Sequence, residues 1–364
     1  MNILITNIEL GLRSGTVVYV FELAVELKKK GYNVEVYTHI IGDTGRELIN
    51  NGINVTDNLH HLKNIPDIIH AHHNLLAIQA LHRFKNTPVI LFVHDRRYFY
   101  DIPIKSSRIL KYIAVDYNCL ERLLIEAKIP EKYTGVIYNW VNTDRFKLRT
   151  EFASRPSTAL VFSNYAKEDN HYQVIVSACK QYGLALDVIG SGTGNYVKHP
   201  EEMLLKYDLV FAKAKAAMEA LSTGAAVVLC DFRGLGEMVA PSNLNYLRKF
   251  NFGMKTLTRS FDEKLIIEEI NKFNGDNNRL NAEWIREQAS CPNVMEQLVQ
   301  LYAQTVKDYK QGIRGMPDTV GSWWSRAQIK LRLTLPVRGI LKLGRIAKKI
   351  SHGIIRFGSL GKLL

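Results

Sequence analysis

The residues best suited to chemistry cluster between Asp208 and Glu237. DLVFA reads as a short buried strand, KAAMEALSTG as a helix stopped at Gly224, AAVVLCD as a second buried strand, and FRGLGE as a glycine-rich loop. Parallel strands joined by a helix open their carboxyl ends and the helix N-terminus onto one crevice. The unpaired N–H groups and partial positive charge there make phosphate a natural guest. Lys213 and Lys215 add full charges, and Glu219, about one turn into the helix, can point into the crevice. Gly234, Gly236 and Glu237 fall in the loop that follows, and Gly192 lies in a second glycine-rich loop, Ser191 to Gly194.

The N-terminal half offers imidazoles. PDIIH runs into Ala71, His72, His73 and Asn74, and TPVILFVHD ends in His94 and Asp95, so several histidines sit at strand ends, where open α/β sheets bind ligands. His70, His72 and His73 read as structural groups bonded to the backbone, and His94 as the functional candidate. Histidines from two separate strand ends make no recognisable ligand spacing, so no metal is expected. Gly15 closes the loop after the first strand, where a missing side chain allows close approach of backbone to a ligand.

The elements that must position these groups form two α/β patterns. NILIT and NVEVYTH read as buried parallel strands, joined by the helix TVVYVFELAVELKKKG with apolar Val17, Val20, Phe21, Ala24 and Leu27 and a stop at Gly31. The intervening loop keeps Gly11 and Gly15 but lacks G-x-G-x-x-G, which argues against NAD. YIAV and TGVIYNW supply later strands, and KLRTEFASRPS reads as a linker. The second pattern starts with TALVFSN, a helix stopped at Gly183, and LALDVIG. NYLRKFNFGMKTL reads as a short strand and helix start, followed by amphipathic helices. The expected boundaries are 1–150 for the first domain, 151–290 for the second, 291–312 for a closing helix and 313–364 for a tail.

With 364 residues, the chain is long enough for two cores. Four scattered cysteines, Cys119, Cys179, Cys230 and Cys291, read as buried thiols in a reducing cytoplasm. The N-terminus shows no export signal, and no apolar stretch is long enough to span a membrane. The net charge of +13 is concentrated in the tail, which from Gly321 onward carries ten Lys and Arg and no Asp or Glu. That distribution points away from nucleic acid as a partner. Arg338, Lys342, Arg345, Lys349, His352 and Arg356 form one helical stripe, and Ile340, Leu343, Ala347, Ile350, Ile354 and Phe357 an opposite one. With Trp323 and Trp324 nearby, this basic amphipathic helical tail suits an anionic membrane surface through residues 321–364.

In this order the segments SGTVVYVFELAVELKKKGYNVEVYT, PDIIHAHHN, PVILFVHD, YIAVDYNCLERLL, GVIYNWVNTDRF, VIGSGTG and KAAMEALSTGAAVVL with its G-x-G-E loop resemble the retaining glycosyltransferases of the GT-B fold, family 4. The resemblance covers residues 1 to about 310 and implies two Rossmann-like domains facing each other across a cleft, the second binding a nucleotide-sugar donor. It implies that Glu219 holds the donor ribose as the second glutamate of E-x7-E, that His94 lies beside the donor sugar, and that Gly15 lies near the diphosphate. Gly234, Gly236 and Glu237 match the following loop. No cofactor is implied beyond the donor as substrate. The sequence departs from the pattern in two places: Phe211 stands where the first glutamate belongs, and only Lys167 is available where members carry Arg and Lys for the diphosphate, with Lys215 a substitute. The function implied is sugar transfer to a lipid-linked or polysaccharide acceptor by a cytoplasmic protein, peripheral at the inner face of the membrane. A sugar-nucleotide epimerase and a non-catalytic scaffold of the same fold are the alternatives.

Overall fold

The computed structural model describes residues 1–11 and 14–318. It divides into two units, one comprising Met1–Ala114, Cys119–Val136 and the chain from Val299, the other Val115–Asn118 and Ile137–Leu298. The first holds seven strands: β1 (Asn2–Thr6), β2 (Asn33–Tyr37), β3 (Asn54–Thr56), β4 (Ile68–His72), β5 (Val89–Val93), β6 (Ile109–Ala114) and β7 (Thr134–Val136). They pair in parallel in the order β3-β2-β1-β4-β5-β6-β7. A parallel sheet is covered on both faces, which is why its strands read as continuous apolar runs, and all of β4 and β5 is buried. Helix Gly15–Lys29 lays Val17, Val20, Leu23, Ala24 and Leu27 against the core, and Gly31 turns the chain at φ 83°. Helix Asp43–Asn50 and β3, three residues long, are additions to the sequence reading.

The second unit holds β8 (Thr158–Phe162), β9 (Ala185–Ile189), β10 (Leu209–Ala212), β11 (Ala226–Asp231) and β12 (Gly234–Met238), ordered β12-β11-β10-β8-β9. All pairs are parallel except β11 with β12. Helix His171–Tyr182 is capped by the Asn170 side chain and ends at Gly183 in the left-handed region, φ 87°.

Three expectations change here. FRGLGE is not a loop: Gly234 and Gly236 lie in β12, where a Cβ would come 2.7 Å from the Arg259 carbonyl and 2.9 Å from the Leu229 Cβ. NYLRKFNFGMKTL forms helix Leu244–Lys249 and a short turn, Met254–Thr256, with no strand. The units divide at 136/137 and not at 150, because Val141 and Phe146 belong to the second unit's core. The helix Cys291–Lys310, expected as a separate closing element, begins in the second unit and ends in the first.

The four cysteines are free and buried, as read from the sequence. Among the described residues no helix is long and apolar enough to cross a membrane. Residues 319–364, and with them the basic amphipathic helix expected from the sequence, lie outside the described residues. Its first residues pack on the turn before β6: Gly315 N–H donates to the Ser107 carbonyl at 2.7 Å, and the Ser107 N–H and hydroxyl both donate to Asp318.

Candidate functional site

In the first sheet the strand order reverses between β1 and β4, and a ligand crevice opens at the carboxyl ends of such a pair. Thr6 and His72 clasp each other there, the Thr6 hydroxyl donating to the His72 carbonyl at 2.9 Å. His73, held at φ 64°, accepts the Ile8 N–H on Nδ1 at 3.1 Å, so its backbone role is as expected. His70 and His72 depart from that expectation. His70 Nδ1 bonds the Tyr302 hydroxyl while its ring stacks on Phe92 at 4.0 Å, and His72 Nδ1 lies 2.8 Å from His94 Nε2. His94, at the end of β5, is therefore the outermost of a row of imidazoles. It keeps part of its surface exposed, yet the surrounding protein desolvates it and lowers its pKa to about 3, and burial also holds His70 and His72 well below the ordinary range. All three are neutral at pH 7. Gly15 opens the helix Gly15–Lys29, and a Cβ there would meet nothing within 4 Å, so its own fold does not require glycine. Gly42 is the close-packed glycine of this edge, its Cβ position only 2.6 Å from Gly11 Cα.

The loop after β5 carries a group that the sequence reading did not single out. Asp101 is buried, 3% exposed, and neither carboxyl oxygen has a hydrogen-bond partner of normal geometry. Burial pushes its pKa up to about 8, reinforced by Asp95 and opposed by Arg122 and by the nearby N–H groups of Asp95 and His94. Arg122 is itself engaged with the carbonyls of Asp95 and Tyr98, at 2.6 and 2.9 Å. Asn74 pins the same turn by donating to the carbonyls of Phe99 and Ile102.

In the second sheet the order reverses between β8 and β10. β10 ends at Ala212 and helix Ala214–Ser222 starts two residues on, leaving Lys213 alone between them. Ala214 takes φ 51°, a left-handed value costly for alanine, and its N–H donates to the Phe252 carbonyl at 2.8 Å. The Lys213 ammonium lies 2.8 Å from the fully buried Asp231 carboxylate, at the end of β11, and 5.0 Å from the Tyr165 ring centre. Tyr165 and Phe232 are 49% and 43% exposed, with ring centres 5.3 Å apart. These aromatics follow β8 and β11, and nothing in their spacing marks them; the fold alone brings them together. Glu219 is only 7% exposed, so it is not a solvated surface charge.

The other candidates lie as follows. The Lys215 ammonium donates to the Trp140 carbonyl at 3.0 Å and covers its ring, which directs it toward the 139–140 segment. Buried Arg248 reaches the same segment through the Asn139 carbonyl at 2.7 Å, and desolvation lowers its pKa to about 10. Gly192 sits against the β8 loop, where a Cβ would come 2.3 Å from the Ala166 carbonyl. Lys167 is exposed on that loop, and Glu237 is exposed on β12 beside Asn243, which donates to it at 3.3 Å. Phe211 is fully buried in β10. No group of three or more metal-type ligands exists among the described residues.

A seven-stranded parallel sheet and a five-stranded sheet parallel but for its β11–β12 pair make up the GT-B fold, and solved structures match it along nearly their whole length. A glycosyltransferase from Rickettsia africae matches with a TM-score of 0.62 at 14% identity, covering 84% of this chain and 99% of its own. Anabaena HepE, solved with UDP and glucose, gives 0.60 at 13% identity, covering 84% and 100%. WaaG, a glycosyltransferase involved in lipopolysaccharide biosynthesis, gives 0.52 at 12%, covering 83% and 99%. Residues 13–145 match the sequence model of Glycosyltransferase Family 4, and the chain has the GT-B fold. No curated protein sequence matches.

Proposed function

We propose that the protein transfers a sugar from a nucleotide-sugar donor to a lipid-linked or polysaccharide acceptor, with retention, at the cytoplasmic face of a membrane. The observation that carries the reading is the edge of the second sheet, where Lys213, paired with Asp231 and flanked by Tyr165, sets a cation at the N-terminal end of helix Ala214–Ser222. Such a site suits a diphosphate leaving group. As the bond from the sugar's anomeric carbon to phosphate oxygen breaks and a bond to the acceptor oxygen forms, negative charge grows on the phosphate, and fixed positive charge and dipoles there lower the barrier. Glu219 on the same helix holds the ribose hydroxyls in this reading. The neighbours HepE, seen with UDP and glucose, and WaaG, of lipopolysaccharide biosynthesis, support the substrate classes.

Calorimetry with a panel of nucleotide sugars tests the site. Glu219→Ala is expected to weaken donor binding at least tenfold. The double variant Lys213→Met/Asp231→Asn, which removes the cation without stranding a buried carboxylate, is expected to do so by about 10- to 100-fold, the worth of a charge-assisted hydrogen bond. Lys215→Met should leave affinity within about threefold, since its ammonium is directed to Trp140. Unchanged binding in the double variant would remove Lys213 from the site.

The membrane reading rests on the ten cations from Gly321 onward. A chain ending at residue 320 should fold but no longer sediment with vesicles containing anionic lipid, at about 1 kcal/mol per cation near the surface. Undiminished sedimentation would contradict it.

A further inference from the structure

We propose that His72 is a positioning residue, which holds His94 in the tautomer protonated on Nδ1, so that His94 presents an N–H donor, and not a base, at the edge of the first sheet. The inference rests on the reading of His94 as the functional group of that edge.

His94 Nε2 and His72 Nδ1 are 2.8 Å apart, so a single proton lies between them. His72 is completely buried, and its Nε2 has no hydrogen-bond partner. Were the shared proton on His94 Nε2, neutral His72 would accept at Nδ1 and carry its own proton on Nε2, as a buried N–H with nothing to receive it. Buried donors left without a partner are rarer than unfilled acceptors. With His72 Nδ1–H as the donor, the group left over is a bare lone pair, and the one proton of neutral His94 must sit on Nδ1. The low pKa values of both rings keep them neutral, as this arrangement needs.

The packing around the pair holds it in place. Thr6 bonds the His72 backbone on both sides, accepting its N–H at 3.1 Å and donating to its carbonyl. The Tyr19 ring stands edge-on to both imidazoles, at 5.2 and 4.7 Å between centres. Behind them His70, against Phe92 and Tyr302, closes the row. His94 is thereby set to donate to a ligand oxygen, such as a sugar hydroxyl or a phosphate, and unsuited to remove a proton from an acceptor.

Long-range ¹H–¹⁵N correlation spectra of the full chain with ¹⁵N-labelled histidine rings decide the matter, with His94 assigned from the signals lost in His94→Gln. The expected result is His94 protonated on Nδ1 in the native chain. The same pattern should persist in His72→Asn, whose side-chain amide can donate from nearly the same place, and give way to a mixture of tautomers in His72→Leu. His94 protonated on Nε2 in the native chain overturns the proposal, even if His72→Leu does not fold. A His94 signal unchanged in folded His72→Leu also overturns it. A chain that binds no nucleotide sugar would defeat the functional reading and leave these spectra unaffected, so the two failures are distinguishable.

Discussion

Asp101→Asn gains stability over the native chain as pH rises, by a few kcal/mol between pH 4 and pH 7. Asp101 is buried with no hydrogen-bond partner of normal geometry, and burial pushes its pKa up to about 8 against 3.8 for a free carboxyl. Between those two values the unfolded chain is ionised at this position while the folded chain keeps the proton. The folded state therefore binds more protons there, and stability falls as pH rises through the window. Asparagine is close in shape to the protonated acid and has no proton to hold, so the variant lacks this slope. Thermal or denaturant unfolding at a series of pH values checks it: the gain should be near zero at pH 4, grow steadily, and level off above pH 8. A stability difference that does not change with pH would show that Asp101 is ionised in the folded chain. A natural protein that keeps so costly a carboxyl beside the His94 strand end holds it for function more readily than for stability.

Phe211→Glu does not restore a donor contact; it unfolds the second unit. The family motif places its first glutamate at this position, but here the position lies inside β10, fully buried, between the neighbours Val228 on β11 and Val161 on β8. Truncating a buried phenylalanine costs about 3–5 kcal/mol, and a carboxylate or a forcibly protonated acid in its place adds several more. The sum is of the order of the whole stability of a domain. Circular dichroism and limited proteolysis should report loss of the unit, whereas a folded Phe211→Glu chain with tighter donor binding would show that β10 frays to let the residue reach the ligand.

The fold was open to sequence reading wherever pattern and physics agree. The parallel strands announced themselves as apolar runs, and Gly31 and Gly183 marked real helix ends at φ 83° and 87°. Errors arose where glycine had two possible meanings. Gly234 and Gly236 look like a flexible loop, yet they are there because the backbones of β12 and residues 256–259 approach too closely for a Cβ. NYLRKFNFGMKTL lost its strand because Asn251 and Phe252 turn through the left-handed region, at φ 47° and 54°, a conformation that asparagine favours but phenylalanine does not announce. At the candidate site His94 and the edge-forming strands were legible. The Lys213–Asp231 pair, the Tyr165–Phe232 contact and the His72–His94 bond were not, because each joins residues from separate strand ends. Lys215 shows the same limit: its proximity to the helix start in sequence says nothing of Trp140, which its side chain meets.

Everything proposed for this GT-B chain depends on its use of a nucleotide sugar as donor. Its most direct test is release of nucleoside diphosphate by the purified full chain, measured across UDP-, GDP-, ADP- and CDP-activated sugars with anionic vesicles carrying polyprenyl-phosphate-linked saccharide acceptors. Turnover is expected with at least one donor, and is expected to be lost in Lys213→Met/Asp231→Asn. A folded chain that neither binds nor turns over any donor of the panel would contradict it and leave a scaffold of the same fold.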